Sequence, residues 1–292
     1  MAFTTGLEDC VRQNVPLAPY TWFRLGGPAQ YFAEPSTPEQ LQAVVKRAKA
    51  EGLPARVLGG GSNLLVREAG VSGVVIRLAA PCFERISIDG TKLTAGAGAK
   101  LGYAVTQAVT EGLAGLEALI GIPGTVGGAL HMNSGSRSGD IGQWTAKATV
   151  MDDAGELMIR SREELVFAYR DSSLDELVIL SAEFELESED PVELTKRMQK
   201  QWIVKKSKVP LGHQACGLIF KNPQGMSAGD LIEQAGLKGA KVGGAEVSDR
   251  HNNYIVVDEK ATSDDVLRLI DHLRTRVKER LSIDLENELQ VW

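Results

Sequence analysis

Two glycine-rich loops constrain this chain more than any other feature of its sequence. The first, Gly59-Gly60-Gly61-Ser62-Asn63, directly follows a predicted short strand, and the second, residues 121–129, reads GIPGTVGGA. Glycine lets backbone N–H groups approach an anionic ligand closely, and the hydroxyl and amide that end the first loop add donors. The first loop favours a diphosphate cradle over a flexible turn. The second, taken alone, is balanced between a cradle and a packing turn, but two such loops together favour an extended cofactor.

Other phosphate-binding patterns are weaker. Residues 96–102 (GAGAKLG) follow a strand and open a helix, as a dinucleotide-binding GxGxxG fingerprint does. No strand ending in an acid follows at the ~20-residue distance that the ribose contact needs, so helix packing explains these glycines better. The sequence also lacks the Walker pattern GxxxxGK[ST]. Rossmann binding and P-loop phosphoryl transfer are therefore both disfavoured.

Composition and charge disfavour several classes of function. The 292 residues include 38 acidic and 32 basic side chains, for a net charge of −6, so we expect no nucleic-acid partner and no membrane surface. Three widely spaced cysteines without a CxxC pair predict no disulfide framework, and four histidines without HxxxH spacing predict no metal site. No secretion signal or apolar run of ~18 residues is present. We expect a cytoplasmic location and no obligate protein partner.

The predicted elements mix helices and short strands and change character near Pro210. A basic helical stretch ends there, so Pro210 is the predicted domain boundary, and the remainder reads as a small α/β domain. The predicted elements are helices over 37–52, 101–111, 193–208, 228–235 and 263–278, a hairpin over 86–98, a mostly β stretch over 146–186, and strands at 217–220 and 254–257.

A few side chains suggest chemistry by residue type alone. Tyr169-Arg170 pairs an aromatic ring with a guanidinium that can grip a carboxylate, and Lys221-Asn222 provides a cation and an amide suited to phosphates and a sugar. For each pair a solvated surface position is the commoner outcome. Glu286 and Glu288 lie two apart and share a face on a strand, where a solvated pair is the default interpretation. Cys216 is most simply a small buried hydrophobe.

Taken together, these segments resemble the UDP-N-acetylenolpyruvoylglucosamine reductases, the MurB flavoenzymes of peptidoglycan precursor synthesis. The resemblance covers nearly the whole chain, and the motifs stand in the order of the family, which makes it highly specific. The motifs are YTWFRLGG (20–27), VLGGGSNLLV (57–66), GIPGTVGGALHMNSG (121–135), FAYRDSS (167–173), IFKNP (219–223), SAGDLIEQAGLKG (227–239) and LENEL (285–289).

The resemblance implies an α+β protein in two parts. An FAD-binding fold of the vanillyl-alcohol-oxidase (PCMH) type would occupy residues 1–209, as two α+β subdomains of roughly 1–80 and 81–209, and a smaller α/β substrate-binding domain would occupy 210–292. FAD would be non-covalent, because no histidine lies in either glycine loop. The implied cofactor contacts are Gly59, Gly60, Gly61, Ser62, Asn63, Ile122, Pro123, Thr125, Gly127 and Gly128. The implied substrate contacts are Tyr169, Lys221 and Asn222.

The implied reaction is the NADPH-dependent reduction of UDP-N-acetylglucosamine enolpyruvate to UDP-N-acetylmuramate. Arg170 matches the family's arginine, which stabilises charge developing on the substrate carboxylate, and Glu288 matches its catalytic glutamate. Leu218, however, stands where the family carries a proton-donating serine or cysteine. Leucine has no exchangeable proton, and losing a positioned acid typically costs ~10²- to 10⁴-fold in rate. The enolpyruvyl half-reaction is therefore expected to be impaired.

Leu218 keeps alternative functions open. One alternative is a catalytically weak or inactive homologue that binds flavin and UDP-sugar, and a weaker one is a flavin oxidase with another substrate. Cys216 lies two residues earlier, ~6.6 Å along a strand at ~3.3 Å per residue. Rescue of the proton transfer by the Cys216 thiol is accordingly less favoured than loss of that step.

Overall fold

The computed structural model describes residues 3–136, 138–210 and 215–292, in which helices and strands are mixed along the sequence. The helices are α1 (Pro38–Ala50), α2 (Pro81–Glu84), α3 (Leu101–Thr110), α4 (Val126–His131), α5 (Pro191–Lys208), α6 (Ala228–Gln234) and α7 (Ser263–Leu281). The strands are β1 (Val11–Pro16), β2 (Pro28–Ala33), β3 (Ala55–Val57), β4 (Leu64–Leu65), β5 (Val71–Ile76), β6 (Ile86–Asp89), β7 (Lys92–Gly96), β8 (Leu113–Ala114), β9 (Gly135–Ser136), β10 (Gly139–Asp140), β11 (Thr145–Met151), β12 (Leu157–Ser161), β13 (Phe167–Ala168), β14 (Asp171–Ser172), β15 (Val178–Glu185), β16 (Glu187–Ser188), β17 (Lys241–Val242), β18 (Ala245–Val247), β19 (Ile255–Val257) and β20 (Gln290–Val291). The predicted α+β class is confirmed.

The chain forms two compact units, each assembled from separate segments. The first unit comprises the residues up to Val15, Ala29–Gly60 and Ser72–Val204, and the second comprises Pro16–Pro28, Gly61–Val71 and Lys205–Trp292. The first glycine loop is therefore divided between the units after Gly60. The division at residue 210, with subdomains at 1–80 and 81–209, stays a prediction.

The first unit contains two principal sheets. One has the strand order β1-β2-β5-β3, in which β3 and β5 are parallel, and the other is an antiparallel sheet in the order β12-β11-β15-β7-β6. The turn at Asp89-Gly90 joins β6 to β7 as the sequence predicts, with Gly90 at a φ of 59°. A continuous hydrophobic core includes the buried faces of α1, α3 and α4.

Helix α1 follows directly from its sequence pattern. The Thr37 hydroxyl accepts a hydrogen bond from the Gln40 N–H at 3.3 Å, and Pro38 occupies the first turn, where its missing N–H costs nothing. The apolar positions that recur at helical spacing are all buried: Leu41, Val44, Val45 and Ala48. The predicted helix over 37–52 is thus confirmed.

The second unit is a small α/β assembly. Its antiparallel sheet has the order β17-β18-β19, α6 and α7 contribute to its hydrophobic core, and β4 pairs in parallel with β20. Helix α7 begins with a capping box in which Thr262 and Asp265 satisfy each other's backbone N–H groups. In the described part of the chain, none of the helices combines the length and hydropathy of a bilayer-spanning segment.

Candidate functional site

The two predicted glycine loops meet within the first unit. A Cβ atom added to Gly59 would lie 2.9 Å from the Thr125 hydroxyl oxygen, and one added to Gly60 would lie 2.7 Å from the Gly124 Cα. A real Cβ does not approach backbone that closely, so this contact requires glycine. The segments of the two loops that the sequence assigns to one cofactor are therefore in direct contact.

The second loop is fixed by its own backbone hydrogen bonds. Thr125 caps α4, its hydroxyl accepting from the Gly128 N–H at 3.3 Å. The N–H groups of Val126 and Gly127 donate to the Ala99 and Ala97 carbonyls, each at 2.9 Å. Ile122 and Pro123 lie half-buried in the turn before this cap. The loop therefore has a defined shape, as a ligand cradle requires.

Gly96 and Gly98 serve packing, in agreement with the interpretation preferred from the sequence. A Cβ on Gly96 would lie 2.1 Å from the Phe83 carbonyl oxygen, and a Cβ on Gly98 would lie 2.1 Å from that of Leu78. At both positions the neighbouring backbone leaves no room for a side chain, as close packing requires.

The remaining residues of the first loop belong to the second unit. Gly61 has a φ of 62°, and its carbonyl accepts from the Trp22 N–H at 3.0 Å. The Ser62 carbonyl accepts two bonds, from the Gly217 N–H at 2.7 Å and from the Cys216 thiol at 3.1 Å. The Asn63 side-chain amide donates to the Glu288 carbonyl at 2.9 Å. The end of the first glycine loop is thus joined to the segments that carry Leu218 and Glu288.

Residues 217–220 do not form the regular strand that the sequence predicts. They make only an isolated bridge, between Phe220 and Asn287, and the Lys221 N–H donates to the Glu286 carbonyl at 2.8 Å. The N–H groups of Glu288 and Leu289 both donate to the Ile219 carbonyl, at 2.8 and 3.2 Å, so two residues face one. This is the pattern of a β-bulge, which ends regular pairing and re-aims side chains beside functional sites.

Glu286 and Glu288 lie in different environments. Glu286 is exposed and pairs with the Lys221 ammonium at 2.6 Å, whereas Glu288 is only 7% exposed. The expected solvated pair is therefore wrong for Glu288. A carboxylate is rarely buried without a specific role, so its burial makes Glu288 the stronger functional candidate of the two.

Leu218 and Cys216 occupy distinct positions in this segment. Leu218 is half-buried, and Cys216 is 1% exposed. Burial raises the pKa of the Cys216 thiol to about 12, an effect to which the nearby Glu288 carboxylate adds. The thiol is therefore protonated at neutral pH. The interpretation of Cys216 as a buried residue is confirmed.

Lys221 and Asn222 follow the bulge in the second unit. The Asn222 side-chain oxygen accepts from the Ala228 N–H at 2.9 Å, at the start of α6. The Lys221 ammonium lies against the exposed Glu286 carboxylate. A cation and an amide are therefore carried on consecutive residues, with the Lys221 backbone and the Asn222 side chain hydrogen-bonded to neighbouring elements.

Tyr169 and Arg170 lie in the first unit, at the tip of the β13–β14 hairpin. Arg170 has a φ of 59°, its guanidinium donates to the Gly135 carbonyl at 3.2 Å, and its Cζ lies 5.5 Å from the centre of the Tyr169 ring. Left-handed backbone is uncommon for arginine and is concentrated at functional positions. Tyr169 is 55% exposed, whereas Arg170 is half-buried.

Two buried asparagines that the sequence does not distinguish support these segments. Asn133 donates to the Ala168 carbonyl at 2.8 Å and accepts from the Gly142 N–H at 3.1 Å. Asn253 donates to the Phe220 carbonyl at 2.8 Å and accepts from the Phe220 N–H at 3.0 Å. Asparagine is common in turns, so nothing in a single sequence marks either residue as a support for a site.

The first unit fits the FAD that the resemblance implies. Gly59, Gly60 and Gly124 keep the meeting point of the loops free of side chains, and Gly128 at the start of α4 is exposed. Backbone of this kind is suited to a diphosphate. Among the described residues, no cluster of three or more His, Cys, Asp or Glu side chains is arranged to hold a metal ion.

Comparisons with known proteins cover both parts of the chain. Residues 29–160 match the FAD binding domain family, and residues 209–292 match the family described as UDP-N-acetylenolpyruvoylglucosamine reductase, C-terminal domain. The UDP-N-acetylenolpyruvoylglucosamine reductase of Rhodopirellula baltica is 41% identical over 290 residues, which cover 99% of this chain and 95% of the relative. The reductase of the same name from Moorella thermoacetica is 40% identical, with coverage of 99% and 95%.

A solved structure gives the same result. The crystal structure of UDP-N-acetylenolpyruvylglucosamine reductase (MurB) from Thermus caldophilus matches with a TM-score of 0.83 and 39% identity, covering 97% of this chain and 99% of that chain. The family and the FAD-binding fold predicted from the sequence are both confirmed. The chain therefore belongs to the UDP-N-acetylenolpyruvoylglucosamine reductase family of FAD-dependent oxidoreductases.

Proposed function

We propose that this chain reduces UDP-N-acetylglucosamine enolpyruvate to UDP-N-acetylmuramate with electrons from NADPH. Full-length similarity to relatives that carry the reductase name supports this assignment. The observation that carries it is the junction in the second unit, where the Ser62 carbonyl accepts from the Cys216 thiol and the Gly217 N–H and the Asn63 amide donates to the Glu288 carbonyl. Loop residues proposed to contact the flavin are thus hydrogen-bonded to the segments that carry Leu218 and Glu288.

The proposed cofactor contacts come from both glycine loops. When bound, FAD supplies the hydride chemistry that links the nicotinamide to the enolpyruvyl group. The chain contributes the backbone of the two loops, the Ser62 hydroxyl and the Asn63 amide. The proposed contacts are Gly59, Gly60, Gly61, Ser62, Asn63, Ile122, Pro123, Thr125, Gly127 and Gly128.

Arg170 and Glu288 are the proposed catalytic side chains. Reduction of the enolpyruvyl group places negative charge on the substrate carboxylate, and a guanidinium held near that carboxylate stabilises the charge. The left-handed backbone of Arg170 supports such a role, because strain of this kind is retained where position matters. Glu288 is buried, so it can hold or supply a proton in a water-poor environment. Tyr169, Lys221 and Asn222 are the proposed substrate contacts.

Leu218 favours one alternative, a homologue that binds flavin and UDP-sugar but turns over weakly. Its side chain carries no proton to donate, and the nearby Cys216 thiol is almost completely buried and already bonded to the Ser62 carbonyl. We propose that the enolpyruvyl half-reaction is slowed at this step while cofactor binding and flavin reduction are retained.

The remaining parts of the assignment concern the cellular setting. We propose a cytoplasmic enzyme of cell-wall precursor synthesis, and through it of cell shape and division. The three cysteines, of which Cys10 and Cys216 are buried and Cys82 is exposed, are all free thiols, in keeping with a reducing compartment. NADPH and the UDP-sugar are the proposed partners.

Anaerobic stopped-flow absorbance tests the assignment. The holoenzyme is reduced with NADPH, mixed with UDP-N-acetylglucosamine enolpyruvate, and followed by the return of oxidised flavin absorbance. Substrate-dependent reoxidation is the expected result. Absence of reoxidation with substrate bound would support the weak homologue, and equally fast reoxidation by oxygen without the enolpyruvyl substrate would support the oxidase.

A further inference from the structure

The side chain of Asn253 replaces a missing strand beside the 219–221 segment. Asn253 is 1% exposed and lies just before β19. Its amide oxygen accepts from the Phe220 N–H at 3.0 Å, and its amide nitrogen donates to the Phe220 carbonyl at 2.8 Å. The Ile219 N–H donates to the Asn253 main-chain carbonyl at 3.1 Å. One residue thus satisfies three backbone groups that a neighbouring strand would otherwise satisfy.

The opposite edge of the same segment carries Glu288. The Glu288 N–H donates to the Ile219 carbonyl at 2.8 Å, and the Lys221 N–H donates to the Glu286 carbonyl at 2.8 Å. The 219–221 segment therefore lies between Asn253 on one edge and residues 286–288 on the other. Because these hydrogen bonds share one short backbone, displacing Phe220 displaces the frame that holds Lys221 and Glu288.

We infer that Asn253 is a positioning residue for Lys221 and Glu288, setting the backbone of residues 219–221. This inference rests on the proposed function for its effect on catalysis, although not for its effect on the backbone. Phe220 is fully buried. Without the Asn253 amide, its N–H and carbonyl lose their hydrogen-bond partners, and the segment can replace them only by moving toward water.

Asn252 provides a matched control. It is adjacent in sequence and has the same side chain, but its amide donates to the Glu233 carboxylate in an exposed hydrogen bond of 3.0 Å, and Asn252 itself is half-buried. Asn253→Ala and Asn252→Ala therefore remove the same side-chain atoms. The first removes the partner of the Phe220 backbone, and the second removes the partner of the Glu233 carboxylate.

Asn253→Asp supplies a second, isosteric variant with a chemical signature. An ionised carboxyl at this position can accept from the Phe220 N–H but meets the Phe220 carbonyl with a second acceptor. A protonated carboxyl can donate to that carbonyl as the amide does. The charged or titratable groups facing this region are His251, Glu288 and the Lys221–Glu286 pair, with Glu233 beyond Asn252. They are common to all variants, so each affinity is divided by that of the wild type at the same pH.

The experiment combines hydrogen–deuterium exchange with binding of UDP-N-acetylmuramate to the holoenzyme by calorimetry. We expect Asn253→Ala to accelerate exchange in peptides spanning 217–222 and 285–290 and to weaken binding about tenfold, with Asn252→Ala equal to the wild type. Asn253→Asp should match Asn253→Ala at neutral pH and approach the wild type as the pH is lowered.

Two results would overturn the inference. One is unchanged local exchange in both Asn253 variants. The other is a loss of exchange protection that is equal in all peptides, together with no recovery of binding by Asn253→Asp at low pH. That result would make Asn253 only a stabilising residue. If the wild type itself fails to bind UDP-N-acetylmuramate, the proposed function fails, while the local exchange still decides the role of Asn253.

Discussion

The glycine loops of the first unit and the 217–223 segment of the second unit acquire their shapes by opposite means. At the loops, the absence of side chains lets Gly60 approach Gly124 so closely that an added Cβ would lie 2.7 Å from the Gly124 Cα. In the segment, a side chain from a distant part of the sequence, Asn253, holds the backbone of Phe220. We expect an added side-chain atom to disrupt the glycine loops, and removal of the Asn253 amide to disrupt the 217–223 segment. Substitutions of opposite kinds can therefore test the two regions independently.

The largest effect is expected for Glu288→Gln, beside the 217–223 segment, which we call the braced segment because Asn253 holds its backbone. The substitution removes the Glu288 carboxylate while preserving the shape of the side chain. Loss of a positioned acid or base should slow substrate-dependent flavin reoxidation by ~10²- to 10⁴-fold, without loss of FAD. Stopped-flow absorbance per bound flavin measures this. Glu279→Gln, which removes an exposed carboxylate on α7, is the control. Equal rates in the two variants would contradict a catalytic role for Glu288.

A smaller effect, on stability and cofactor retention, is expected for Gly60→Ala in the cradle. The added Cβ meets backbone, and overpacking of this kind costs about 1–3 kcal/mol. Gly102→Ala is the control, because an added Cβ in α3 meets nothing within 4 Å. Helix propensity predicts that this control gains up to about 1 kcal/mol. Denaturant unfolding and flavin stoichiometry of the holoenzyme would show the contrast, and a fully loaded, equally stable Gly60→Ala would refute it.

Leu218→Ser sharpens the comparison by adding a hydroxyl with an exchangeable proton to the braced segment. We expect substrate-dependent reoxidation to rise about tenfold, a fraction of the ~10²- to 10⁴-fold that a positioned acid contributes. Leu218→Ala creates similar space without a hydroxyl, so it should not raise the rate. Flavin reduction by NADPH should be the same in both variants. A rate in Leu218→Ser no higher than in Leu218→Ala would show that the step does not limit this enzyme.

The smallest effect concerns the segment 61–71 of the second unit, which is anchored by Glu68 at the start of α7. The Ser263 N–H donates to Glu68 at 2.6 Å, and the Ser263 hydroxyl bonds its other oxygen. Burial acts to raise the pKa of Glu68, but these hydrogen bonds outweigh it and lower the pKa.

Because the folded pKa is below the unfolded value of about 4.3, the stabilisation is present above that pH and is lost as the pH falls through the folded pKa. Glu68→Gln should therefore reduce the loss of unfolding free energy below about pH 4.3, by about 0.5 kcal/mol or less because Glu68 is exposed. The fall in Tm over this range should be correspondingly flatter. Thermal melts of the two proteins from neutral pH to pH 3 would measure this. Parallel curves would show that Ser263 does not select the ionised form of Glu68.

The positions of the glycine-rich loops could be read from the sequence, whereas the arrangement of residues 217–223 could not, for a physical reason. Runs of glycine are visible in the sequence itself, so the loops at 59–63 and 121–129 could be identified from residue type. The role of Asn253 depends on a contact with Phe220, 33 residues away, and on the bulge at Glu288. Neither periodicity nor propensity encodes such a contact, so a regular strand was expected at 217–220 and Glu286 and Glu288 were expected to be alike.

The Ser62 carbonyl accepts hydrogen bonds from both the Gly217 N–H and the Cys216 thiol, which links the proposed cofactor loop to the proposed substrate segment. A ligand that orders one side of such a link lowers the entropic cost of ordering the other. Thermodynamic reciprocity then applies in both directions, because the factor by which flavin tightens nucleotide-sugar binding equals the factor by which the nucleotide sugar tightens flavin. We therefore expect bound UDP-sugar to slow the dissociation of flavin, so that cofactor loss during purification measures substrate recognition.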